Sequence, residues 1–351
     1  MADPHLSIIV PVLNEREQLP GLLENLQRQI LSAYELLVVD GGSTDGSLEW
    51  LQSQAEVLDS LRLLQAPAGR GRQLNQALGQ ARGEWLLLLH ADSRFTDPQA
   101  IRNGIMHLEQ TGSRHVAGHF ALNFRRQSDT PLFGYYFYEW KARLGRPETI
   151  HGDQGFLLRG DFQQAVGLFR EDLPVMEDTD FAERVRKVGS WLLLSGEIST
   201  SARRFESEGL WQRQLLNAIL MCLRDIGFER YFQAAPEVYR QQAVGGQLRL
   251  RPFFTLVRRL FAEHLFPERG QLWWRCGIYV RRHAWQLTFA CDARRAFRKG
   301  IPVGQGRPVL TENFEPVYQL LTDNPLGRLA ATLLLRLWFE LTDYWLRFKE
   351  R

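Results

Sequence analysis

The chain has 351 residues, 44% of them hydrophobic and 24% charged, which excludes a disordered protein and leaves room for one large or two ordinary domains. Its three cysteines, Cys222, Cys276 and Cys291, form no CxxC pair, so neither a disulfide framework nor a zinc site is indicated and a reducing compartment is the default. The net charge of +3 hides an asymmetry: residues 1–204 carry 21 Lys and Arg against 26 Asp and Glu, residues 205–351 carry 22 against 14, and a change of sign from −5 to +8 suggests two functional regions.

In chain order, Leu6 to Val12 reads as a buried strand, with Asn14 expected to cap a following helix and Glu15 and Glu17 near that helix's positive end. Glu35 to Asp40 is a second strand ending in a carboxylate, and the turn from Gly41 to Gly46, which contains Asp45, leads into a helix. Leu61 to Gln65 reads as a shorter strand, Arg72 to Ala81 as a helix ended by Gly83, and Glu84 to Leu89 as the next strand. Such alternation argues for a parallel sheet with helices on its faces. The run from Trp85 to Asp92 stands out: an unbroken apolar stretch, the mark of a strand buried on both faces, leads directly into His90-Ala91-Asp92. Further on come a strand over Val116 to Phe124, an aromatic helix over Pro131 to Leu144, a short strand over Gly155 to Arg159 and a helix over Glu177 to Val188. Trp191 to Leu194 and Ile198 to Ser201 read as two short extended pieces. Beyond Leu210 helical patterns dominate, over 210–226, 250–266, 271–298 and 325–349, with breaks expected at Gly245-Gly246 and from Gly300 to Pro308.

Four polar clusters fall at strand ends: Pro11 with Asn14 and Glu15, Asp40 with Asp45, the run Gly69-Arg70-Gly71-Arg72-Gln73, and His90 with Asp92. In open α/β sheets ligands bind beyond the carboxyl ends of the strands, where carboxylates suit ribose hydroxyls and a cation on a diphosphate. Each cluster also has a bland reading as a cap, a turn or a solvated face. No Walker A sequence is present and no GxGxxG follows the first strand.

The segments SIIVPVLNE, VVDGGSTDGS, LLLLHADSR and MEDTDFAERVRKVG, in that order, resemble the motifs of family 2 glycosyltransferases, over roughly residues 5–205. The resemblance is nearest to a bacterial subgroup with His-Ala-Asp in place of Asp-x-Asp. It implies an α/β fold of the GT-A kind, Rossmann-like, with a mostly parallel sheet flanked by helices, over residues 1–205; residues 206–351 resemble no known family and read from their own pattern as a mainly helical, basic and aromatic extension for acceptor binding, membrane docking or oligomerisation. It implies a metal-dependent inverting enzyme that moves a sugar from a nucleoside-diphosphate sugar, with uridine the favoured base, to an acceptor hydroxyl, with Mg2+ or Mn2+ as cofactor. By the same resemblance Pro11, Asn14, Glu15, Asp40, Asp45, Arg72, His90 and Ala91 contact the donor nucleotide, Asp92 ligates the metal and Asp178 is the catalytic base. Asp153, Gln154, Glu177, Arg203 and Arg204 are expected around the acceptor, the sugar or the diphosphate. Crowding of Glu177, Asp178 and Asp180 is expected to raise the pKa of the base. Histidine at position 90 leaves the sugar contacts open.

Residues 251–300 hold 11 Lys and Arg, three acids and ten aromatics. On helices this composition suits either an anionic membrane surface or a helical core with a solvated cationic face, and a lipid-linked acceptor favours the former; nucleic acid is not expected. No window reads as a transmembrane helix or a signal peptide, so a cytoplasmic chain, peripheral on the inner membrane face, is the expectation. The competing readings are a nucleotidyltransferase on a similar fold and a catalytically silent nucleotide-sugar-binding or membrane-scaffold protein.

Overall fold

The computed structural model describes residues 5–31, 33–242 and 246–350. Of the break expected at Gly245-Gly246, Gly245 lies outside the described residues and Gly246 adopts a left-handed φ of 105°. The chain divides into two compact units, Met1–Gln127 with Tyr138–Ala202, and Ser128–Phe137 with Arg203–Arg351.

The first unit is built on strands β1 (Leu6–Val12), β2 (Tyr34–Asp40), β3 (Leu61–Gln65), β4 (Trp85–Leu88), β5 (Arg94–Phe95), β6 (Val116–Arg125), β7 (Phe156–Arg159) and β8 (Ser190–Ser201). They form one sheet in the order β3-β2-β1-β4-β7-β6-β8-β5. The strands from β1 to β4 pair in parallel, as the alternating pattern requires; β7 runs antiparallel to both β4 and β6, and β8 is parallel to β6. Helices α1 (Leu19–Gln27), α2 (Ser47–Ala55), α3 (Arg70–Leu78), α4 (Ala100–Gln110), α5 (Phe133–Lys141), α6 (Gly160–Val166) and α7 (Glu177–Val188) lie between the strands in sequence.

The leucine run is explained by its two neighbours. Leu87 and Leu89 join a core cluster with Leu22 of α1 and Ile101 and Ile105 of α4. Leu86 and Leu88 join a second cluster with Leu74 of α3, Phe162 of α6 and Phe181 of α7. A strand covered on both faces has no polar side to alternate with.

Several local expectations are corrected. Asn14 caps no helix: α1 starts at Leu19 after Gln18, and Asn14 sits at φ 57° with its Oδ1 accepting from Thr44 N at 2.8 Å. Gly83 does not end α3, which stops at Leu78; a Cβ there would lie 2.4 Å from Ser7 N, so close strand packing is what demands glycine. The two extended pieces after Trp191 are one strand, β8, whose pairing to β6 is irregular between His119 and Ala121.

The second unit is helical: α8 (Arg203–Glu208), α9 (Leu210–Asp225), α10 (Glu229–Arg240), α11 (Arg251–Ala262), α12 (Phe266–Arg282), α13 (Trp285–Arg298), α14 (Val309–Thr322) and α15 (Pro325–Lys349). The single helix expected over 271–298 is broken at His283-Ala284, where Ala284 N donates to Arg281 O and ends the α12 ladder. Half of the ten aromatics of 251–300 are core: Phe253, Phe254, Phe261, Trp285 and Phe289 are buried. Among the described residues no helix is long and apolar enough to cross a membrane.

Candidate functional site

The carboxyl ends of β1, β2 and β4 share one edge of the sheet. Because β7 is antiparallel to β4, with Phe156 opposite Leu88, the loop before β7 reaches the same edge. At β1 and β2 the two loops are laced together. Asn14 N donates to Ser43 Oγ (2.9 Å), Glu15 N to Ser47 Oγ (3.1 Å) and Arg16 N to Asp45 Oδ2 (2.9 Å). Asp45 also accepts from Ser47 N at 3.0 Å, and Asp40, buried, accepts from Gly42 N (2.8 Å) and Ser43 N (3.1 Å). These carboxylates first shape their own loops. Pro11 is partly buried at the end of β1. Gln73, buried under the same edge, donates from Nε2 to Val12 O (2.7 Å) and Val39 O (2.8 Å), tying the ends of β1 and β2 together.

Beyond β4 the His90–Asp92 turn is clamped by arginines that the sequence reading did not single out. Arg94 donates to Ser93 O (2.7 Å) and Ala91 O (3.2 Å), and Arg125 donates to Asp92 O (2.6 Å). Asp92 caps no helix. Its Oδ2 accepts from Thr200 Oγ1 and Ser201 N, both at 3.0 Å, at the end of β8. Burial pushes its carboxyl up, but His90, these donors and Arg125 outweigh burial and hold it below its ordinary value. Ala91 is buried between the two polar residues.

The centre of the site is a four-way meeting. Arg70, the first residue of α3, contacts His90 Nε2 through its Nη2 and lies 3.3 Å through Nε from Glu177 Oε1. Gly152 N donates to Asp178 Oδ2 at 2.8 Å. A Cβ on Gly152 would stand 2.8 Å from Arg70 Nη2 and 3.0 Å from both Asp178 Oδ2 and His90 Nε2, so only glycine leaves the cluster intact. A small cavity lined by Arg70, His90, Gly152, Phe169 and Asp178 opens here. The donor-side arginine expected from the sequence, Arg72, instead faces Glu171, with Nε to Oε2 at 3.9 Å.

The acidic trio at the start of α7 splits by role. Asp180 pairs with Arg184 at 2.8 Å within the helix, whereas Glu177 and Asp178 turn toward Arg70. Crowding does not raise Asp178: burial does push it up, but Arg70, His151, the Gly152 N–H and His90 bring it down to about 2. Glu177 is raised, chiefly by burial. Asp153 goes furthest, pushed up to about 7 by burial and by the charges of Asp178 and Asp92. Gln154 donates to Thr149 O at 2.5 Å and braces the loop. Met176, immediately before α7, and Asn14 are the non-glycine residues with positive φ among the described residues, at 66° and 57°. Such strain costs about 1–3 kcal/mol per residue and collects at functional sites. Arg203 and Arg204 open α8, in the second compact unit.

Among the described residues no three His, Cys, Asp or Glu side chains are gathered to hold a metal. The carboxylates nevertheless fit a hard divalent cation in part. Both hydrogen bonds to Asp92 fall on Oδ2, and the Oδ1 of Asp153 is buried without a hydrogen-bond partner beside the charges of Asp92 and Asp178. Mg2+-like ions are commonly held by one or two protein carboxylates completed by water and substrate phosphates.

Residues 7–163 match the family model described as Glycosyl transferase family 2. A PGL/p-HBAD biosynthesis glycosyltransferase from Mycobacterium bovis is 38% identical over 103 residues, covering 29% of this chain and 40% of the relative. An undecaprenyl-phosphate 4-deoxy-4-formamido-L-arabinose transferase from Proteus mirabilis is 34% identical over 93 residues, 25% of this chain and 28% of the relative. The chain thus spans less than half the length of the curated relatives it matches. Among solved structures, the mannosyltransferase PcManGT from Pyrobaculum calidifontis, in complex with GDP-Man and Mn2+, superposes with a TM-score of 0.49 at 18% identity, over 96% of this chain and 88% of that one.

Proposed function

We propose that the chain is a GT-A-type inverting glycosyltransferase that takes a sugar from a nucleoside-diphosphate donor to an acceptor hydroxyl. The observation that carries this reading is the convergence of Arg70, His90, Gly152 and Asp178 at one sheet edge, beside Asp92. The family 2 match supports sugar transfer over the same segment.

In this reading the laced loops bearing Pro11, Asn14, Glu15, Asp40 and Asp45 receive the nucleoside, with uridine favoured. Asp92, with Asp153 beside it, holds Mg2+ or Mn2+. When bound, the cation neutralises charge on the departing diphosphate. Arg70 is the chain's own cationic group at the centre of the site, and a guanidinium suits phosphate oxygens. Arg72 takes the outer, donor side of the same helix start, and Arg203 and Arg204 remain further candidates for the diphosphate. Asp178 accepts the proton of the attacking hydroxyl. Arg70 holds Asp178 ionised and weakly basic; a diphosphate that recruits Arg70 relieves that hold and raises the basicity of the carboxylate when the proton must move. Glu177 positions Arg70, and Asp153 and Gln154 shape the acceptor side. A lipid-linked acceptor accords with the relative named for undecaprenyl phosphate.

Calorimetric titration of UDP and GDP into the full chain, with and without Mn2+, tests the donor half. Binding strengthened by the cation in wild type, and indifferent to it in Asp92→Asn, is expected. Failure of both nucleotides to bind, or unchanged cation dependence in the variant, would sink the assignment.

A further inference from the structure

The second unit exposes an apolar surface that the site does not use. On α15 a buried stripe, Thr332, Phe339, Asp343 and Leu346, faces inward. The opposite face should be polar in a solvated helix. It is instead Leu326, Leu333, Leu337, Leu341, Tyr344 and Phe348, spaced by three, four or seven residues, all exposed. The preceding helix, α14, repeats the arrangement with Leu310, Phe314, Val317 and Leu321. Where the two helices meet, Leu320 near the end of α14 and Leu326 at the start of α15 are 83% and 78% exposed. Two consecutive helices with outward apolar faces form more than the scatter of single exposed leucines expected on a soluble surface.

We propose that this face of α14 and α15 docks in the interfacial layer of an anionic lipid bilayer. Charge complementarity selects the occupant. Residues 205–351 carry 22 Lys and Arg against 14 Asp and Glu, so anionic lipid attracts this unit, whereas a second copy would bring like charges together. The acids of α15 are already neutralised: Glu340 and Asp343 pair with Arg258, each at 2.7 Å, and Arg347 pairs with Asp343 at 3.0 Å. The other cations of α15 are held by neighbours: Arg328 pairs with Asp323 at 2.9 Å, Arg336 lies over the Trp273 ring and Lys349 over the Trp345 ring. With six ionisable residues in 25, α15 lies along the surface and does not span it. The basic, aromatic stretch 251–300 supplies charge; half of its ten aromatics are buried, and the run of exposed apolar side chains lies further along the chain, on α14 and α15.

The docking stands independently of the transferase reading, and its test reads no activity. The full chain is floated with vesicles of phosphatidylcholine alone and of phosphatidylcholine mixed with phosphatidylglycerol. Flotation with the anionic vesicles, weakened by salt and reduced at least about ten-fold by Leu333→Glu/Leu337→Glu/Leu341→Glu with an unchanged circular dichroism spectrum, is expected. A second readout needs no charge insertion: brominated lipid should quench wild-type tryptophan fluorescence, and Trp338→Phe/Trp345→Phe should remove most of that quenching. The proposal is overturned by absent flotation of wild type, by quenching that survives both Trp substitutions, or by light scattering that shows a vesicle-indifferent dimer dissolved by the triple substitution.

Discussion

Gly152 is the residue on which the site geometry turns. Its amide holds Asp178, and its missing side chain lets Arg70 and His90 close on the same carboxylate. Gly152→Ala should lower turnover at least about ten-fold while leaving the melting temperature close to wild type, because small displacements of reacting groups are costly; a steady-state rate within two-fold of wild type, roughly the scatter of such assays, would contradict this. Asp153 gives a pH signature. Its folded pKa, about 7, stands above its ordinary value of 3.8, so the unfolded chain loses this proton first as pH rises. Stability is therefore lost progressively between those two values and not regained above them. In chelator, without added cation, Asp153→Asn should melt at a temperature that rises relative to wild type from acid to neutral pH; parallel pH profiles for the two proteins would refute it. The carboxylates and His90 were legible from their motifs, whereas the central arginine was not. Both Arg70 and Arg72 lie in one polar run, and residues two apart on a helix point to nearly opposite sides. Only knowing that α3 starts at Arg70, two residues earlier than its apolar pattern indicates, selects between them. The direction of the Asp178 shift was misjudged for a related reason: its sequence neighbours are acids, but Arg70, His90 and His151 reach it from elsewhere in the chain.

At the scale of elements, β1, β3 and α7 coincide with their sequence expectations because their signals are local: short leucine-, isoleucine- or valine-rich segments for the strands, an acidic first turn and 3.6-residue spacing for the helix. The missed elements depend on distant partners. Helix α14 carries an internal Pro316 and is capped from α13, where Asp292 accepts from Leu310 N (3.0 Å) and Thr311 N (2.8 Å). No local signal announces such a cap. Gln73 has a structural role that its place in a polar run does not reveal, since its amide bridges two strand-end carbonyls. Gln73→Ala should cost about 1–3 kcal/mol in urea denaturation, the loss of two buried hydrogen bonds, with Val12 O keeping its bond from Gly41 N at 2.8 Å. A loss under about 0.5 kcal/mol would mean that water replaces the amide without cost.

For the whole molecule, the change of charge sign along the sequence corresponds to two kinds of chemistry. The acidic first part holds Asp92, Asp153 and Asp178, to which the proposed function gives the cation and the acceptor proton, and the basic second part holds the outward apolar face proposed to meet anionic lipid. The α/β character of the first part was readable from alternation, but the antiparallel β7 was not, because a four-residue apolar strand carries no mark of its direction. That reversal brings Gly152 and Asp153 to the edge where Asp92 waits. The most direct test of the account is release of nucleoside diphosphate from a panel of UDP- and GDP-sugars incubated with the full chain and Mn2+. The account predicts release from at least one donor, reduced about 10²–10⁴-fold by Asp178→Asn in a folded protein. Release from none of them, or equal release by the variant, would contradict it.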